Sequence, residues 1–133
     1  MHKGFIKAAA VLGLLSVALG AFAAHALKQL FAENAVNIFE TGVRYQFYHV
    51  FALLAAGVLY KEFPNKFIKW SGMFFIAGII LFSGSLYLLA YIKGTATQGY
   101  QWIGPVTPLG GLLFLLGWTF LFMGCFKKQV ILN

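Results

Sequence analysis

Stretches without Lys, Arg, Asp or Glu run over residues 8–27, 45–60, 70–92 and 94–126. An α-helix rises 1.5 Å per residue, so about 20 apolar residues cross the roughly 30 Å of hydrocarbon in a bilayer. The pattern predicts membrane-crossing helices over about 5–27, 43–60, 67–92 and 107–126. The second stretch is short for a span, so its helix is expected to begin ahead of Tyr45, with Arg44 snorkelling outward. Between the first two helices, "KQLFAENAVNIFETG" (28–42) sets Phe31, Ala35, Ile38 and Gly42 at helical spacing, with Lys28, Glu33, Asn37 and Glu40 elsewhere around the wheel. That reads as a short amphipathic helix over about 29–41, lying on the outer face of the membrane. "KEFPNK" (61–66) holds a Pro-Asn turn suited to reversing direction between antiparallel helices. The expected fold is one all-α domain, residues 1–133, an integral membrane antiparallel four-helix bundle.

Composition agrees with a bilayer as solvent. Of the 133 residues, 61% are hydrophobic and 10% charged, against about 25% charged in soluble domains; mean hydropathy is +0.83. The net charge of +7 is not a nucleic-acid patch, because the basic residues stand singly at the ends of apolar stretches. Lys3, Lys7, Lys61, Lys66, Lys69, Lys127 and Lys128 fall on one side of four spans, and Lys28, Arg44 and Lys93 on the other. The richer side is expected to be cytoplasmic, with both termini there. Tyr60 and Trp70 then mark the inner interface, and Tyr91, Tyr100 and Trp102 the outer one. The single cysteine, Cys125, excludes an internal disulfide and a thiolate metal cluster. The expected location is the cell (inner) membrane, crossed several times.

The N-terminal "MHKGFIKAAAVLGLLSVALGAFAA" also has the form of a secretory signal, and cleavage after Ala23 or Ala24 would leave three spans. Its uncharged stretch is longer than the 7–15 residues usual in a signal, and its small residues suit packing, so an uncleaved helix is expected. Apolar burial does not drive helices together in lipid, whereas close approach at small residues does. Ser16, Gly20 and Ala24 recur every four residues, with Gly13 seven before Gly20; Gly110, Gly117 and Gly124 recur every seven. With "FSGS" (82–85) they are read as intramolecular packing surfaces, dimerisation being the other use for the glycines.

Polar side chains are lopsided along the spans. His25, Glu40, Arg44, Tyr45, Gln46, His49, Ser83, Ser85, Tyr87 and Thr107 lie toward the outer side, and the inner half has almost none beyond Ser16. Glu40 and Arg44 have the spacing of a helical ion pair. A titratable group inside a membrane is a functional candidate with a partner to be named. The expected partners are Glu40 or Tyr87 for His25, and Ser83 or Ser85 for His49. The plainer reading of each histidine is a hydrogen bond between helices, contributing about 0.6–2 kcal/mol; Trp118 reads as core.

No catalytic group is assigned. The three acids lie in loops or at helix ends, and a metal triad would need His25, His49 and Glu40 together. Neither a metal nor a cofactor is expected. The reading is a non-enzymatic accessory, scaffolding or membrane-stabilising protein. Its partners would be the bilayer, further copies of itself or a larger membrane protein. The alternative is binding or transport of a small ligand, a proton or a lipid through the outer polar cluster, including haem held between His25 and His49.

The blocks "LGAFAAHAL" (19–27), "TGVRYQFYH" (41–49), "LFSGSLYLLA" (81–90) and "TPLGGLLFLLGW" (107–118) together resemble a bacterial membrane family, domain of unknown function family 423, related to the small animal transmembrane protein 256. The resemblance covers nearly the whole chain. It implies four spans and an uncleaved first helix, and it transfers no catalytic residue, substrate or cofactor. Where the family's first block typically has glycine before Ala-His, this chain has Ala23.

Overall fold

The computed structural model describes residues 1–99 and 101–126; Tyr100, Lys127 and Lys128, used above for topology, lie outside the described residues. Four helices are present: α1 (Lys3–Leu30), α2 (Glu33–Leu59), α3 (Lys66–Gly94) and α4 (Val106–Phe126). A single 3-10 turn, Gln101–Ile103, precedes α4, and there is no strand among the described residues. α1, α3 and α4 belong to segments long and apolar enough to cross a membrane. Four such spans were expected. α2 is missing from the set because Arg44, Tyr45, Gln46, Tyr48 and His49 lower its hydropathy. Its neighbours cover it instead, and its buried residues extend from Ala35 to Gly57.

The separate surface helix expected at 29–41 does not form. Residues 28–30 continue α1, the chain turns at Phe31 and Ala32, and Glu33 to Leu59 is one unbroken helix. The reason is burial: Ala35, Val36, Phe39 and Val43 pack with Ala23, Leu27 and Ala90 in a second core cluster. The apolar stripe of 29–41 is thus spent on the protein rather than on a lipid surface. Within it Gly42, deep inside α2, makes room for the Tyr87 ring.

Neighbouring helices run antiparallel. On α1, Gly13 touches Val50 and Gly20 touches Val43 of α2, so partner numbers fall as α1 numbers rise. The α3–α4 seam is tighter. Gly110 faces Phe82, Gly117 faces Phe75 and Gly124 faces Ile68, while Phe114 seats on Gly78. The sevenfold glycines of α4 therefore meet a sevenfold row of large side chains on α3. Asn65 locks this end: its Oδ1 accepts from the N–H of Phe67 and Ile68, and its Nδ2 donates to the Gly124 carbonyl at 2.9 Å. Ala24, expected on the α1 packing face, is exposed, and Ala23 is buried in its place. Steps of four residues drift about 40° each around a helix, whereas seven residues return to nearly the same direction.

The main core joins Phe5 and Ala9 of α1 to Val50 and Leu53 of α2, Phe75 and Ile79 of α3 and Phe114 of α4. Outside it, Leu14, Val17, Phe51, Ile80, Leu115 and Phe122 are exposed. Large apolar side chains on so many outward positions are stable in lipid and costly in water.

Candidate functional site

Besides the Asn65 lock, five side-chain hydrogen bonds among the described residues each join two helices. His49 is buried, and its ring stacks on Phe114 with centroids 3.5 Å apart. Its Nε2 accepts from the Trp118 indole N–H at 3.1 Å. That places the proton on Nδ1, which lies 2.7 Å from the Tyr45 carbonyl and donates to it. Both ring nitrogens are occupied and the imidazole is neutral. The partners expected for it, Ser83 and Ser85, are engaged elsewhere. Ser83 sits in a wide π-turn, Ile79–Ser83, and donates to the Gly42 carbonyl at 2.6 Å. Ser85 and Thr107 share a hydrogen bond of 2.6 Å between α3 and α4.

Tyr87 donates to Gln46 Oε1 at 2.6 Å, and Gln46 Nε2 reaches the Leu12 carbonyl at 3.0 Å. This chain of bonds ties α3 through α2 to α1. The sequence assigns no partner to Gln46, one of the outer polar residues, although it stands three residues before His49 on the buried face of α2. Trp118, expected as core, is 48% exposed. Its N–H points inward, as a buried histidine acceptor invites, and its ring packs edge-on against the buried Phe75 at 5.3 Å. Ser71, in the first half of α3, is a buried hydroxyl with no partner among the described residues.

His25 does not join this group. It is exposed, and its Nδ1 lies 2.9 Å from the Ala21 carbonyl one turn back. His49 sits beside Val50, level with Gly13 on α1, about 18 Å along that helix from His25 at 1.5 Å per residue. The two imidazoles therefore do not face a common iron. Glu40 is also turned away from its expected partners. It pairs with Lys28 at 3.8 Å across the α1–α2 turn, and Arg44 is exposed. The turn, invisible in a linear reading, brings Lys28 over Glu40. Tyr45 is exposed, with its ring against Phe82 at 4.8 Å. Among the described residues no three His, Cys, Asp or Glu side chains gather where a metal could bind.

Residues 19–111 match the model of a family described as protein of unknown function, DUF423. The chain belongs to this family. Among its DUF423 relatives, a UPF0382 membrane protein of Haemophilus influenzae is 41% identical over 97% of this chain and 98% of its own length. A UPF0382 membrane protein of Staphylococcus aureus is 37% identical over 94% and 97%. The UPF0382 inner membrane protein YgdD of Escherichia coli is 37% identical over 91% and 88%. No solved structure matches. With these relatives and its three apolar spans, the DUF423 chain is a multi-pass protein of the cell membrane.

Proposed function

We propose that this DUF423 chain is a non-enzymatic membrane protein, an accessory or scaffolding element built as an antiparallel four-helix bundle with both termini in the cytoplasm. α2 is the fourth span, carried at the same depth as α1 by its antiparallel contact along that helix. Saturation of the polar groups gathered around His49 and Gln46, with Ser71 the one buried side chain outside that group left unpaired among the described residues, supports this reading. The imidazole of His49, the amide of Gln46 and the hydroxyls of Ser83, Ser85, Tyr87 and Thr107 all bond to protein. In lipid, where no water competes, such bonds select helix partners and register. A reactive centre would instead hold a free acid, base or nucleophile aimed at a cavity.

Native mass spectrometry and absorption spectroscopy on protein released from its own membrane test the reading. The expected species are the chain alone, its lipids, and protein partners if it scaffolds them. A stoichiometric non-lipid cofactor, such as a haem giving a Soret band, that is lost in His49→Ala would overturn it.

A further inference from the structure

Beyond the polar contacts, the end of the molecule at the α1–α2 turn carries an open apolar groove of about 310 Å³. Phe22 and Leu27 of α1, Phe31 of the turn, Phe39 of α2, and Tyr91 and Thr95 at the end of α3 line it. Its volume is near the lower end for ligand pockets. Along α1 it extends from Phe22 to Leu30, about 12 Å at the helical rise. Exposed Tyr91 and Trp102 mark this end as the membrane–water boundary. The groove therefore begins at headgroup level and descends into the acyl layer.

The last turn of α3 separates this groove from a second, polar cavity. Tyr91 and Thr95 face the groove, whereas Ile92, Lys93 and Ala96 face a hollow of about 490 Å³ lined also by Asn34, Thr97 and Gln101. Among the described residues Lys93 is the one charged residue lining that hollow, and no carboxylate lies within ion-pair distance of it. A third cavity, on the other side of Phe31, holds Lys28 together with Glu33 and Glu40. Its acids disfavour an anion there. An uncompensated cation next to an apolar groove, at the depth where lipid phosphates lie, matches one molecule.

We infer that this end of the protein binds an anionic glycerophospholipid, one acyl chain in the groove and the phosphate headgroup in the polar cavity at Lys93. Phe31, seated on Gly94, walls the groove on the side of the turn. Lys93 supplies the selectivity for charge, and the groove supplies affinity for any chain.

The full-length protein in detergent, titrated with phosphatidylglycerol or phosphatidylcholine of identical chains and read by native mass spectrometry, tests this. Wild type is expected to retain phosphatidylglycerol about fivefold over phosphatidylcholine, the factor for one lysine at a charged membrane surface. Lys93→Gln should abolish the preference while leaving retention of phosphatidylcholine unchanged. Leu30→Trp, at an exposed position on the groove rim, should reduce retention of both lipids. Circular dichroism of each variant verifies that it has folded. Equal retention of the two lipids by wild type, or an undiminished preference in Lys93→Gln, overturns the site.

Discussion

A histidine in lipid is stable only if both ring nitrogens find partners, and at position 49 the partners are unlike in kind. Nδ1 bonds to its own helix and Nε2 to Trp118 on α4, so a single contact decides how α4 is held. Trp118→Phe deletes that bond while keeping an aromatic ring at the position. Equilibrium unfolding in mixed micelles should show a loss of about 0.6–1.7 kcal/mol, the span of measured interhelical hydrogen bonds in membranes. His49→Ala should cost about 2–5 kcal/mol, since it also empties the space against Phe114. The double variant should lose less than the sum of the two. Full additivity would mean that the indole and the imidazole act independently. This partnership was not readable from sequence. The sequence marked His49 as an intramembrane titratable group needing a partner, but which group met it depended on how α4 was rotated, and Trp118 gave no sign of an inward N–H.

At the scale of elements, small residues govern approach distance. A Cβ on Gly117 would fall 2.6 Å from the Phe75 ring, while one on Gly111 would stand 3.8 Å from Phe82 in ordinary contact. Gly117→Ala should therefore lower the unfolding free energy by about 1–3 kcal/mol through overpacking. Gly111→Ala should be neutral, or raise it by up to about 1 kcal/mol through helix propensity. Identical effects from the two would remove the distinction between the seam and the lipid face. The glycine spacing of α4 was legible because a seven-residue period needs no knowledge of the partner. The continuity of α2 was not, because its first turns carry Glu33, Asn37 and Glu40, the signature of a surface helix. Only the packed structure shows that Ala35, Val36 and Phe39 are covered.

For the whole molecule, the basic residues and a count of four spans together predict that both termini share the cytoplasmic face. Reporter fusions at residue 1 and at residue 133 should both signal the cytoplasm, and a reporter inserted at the Phe31–Ala32 turn should signal the opposite side. An external signal from either terminus would reverse the orientation. Membrane location and helical class were plain in the sequence, since hydropathy reflects the solvent directly. The meeting of Lys28 with Glu40 was hidden, since it arises only after the chain has doubled back.

The interlocked faces of α3 and α4 also restrict how those helices can ever part. Sliding α4 by one turn would drive Phe114 from Gly78 toward Phe75, ring against ring; sliding it by two would strand the Asn65 amide away from the Gly124 carbonyl. The pair behaves as a toothed rack: it can be pulled open sideways, but it resists being pushed lengthwise.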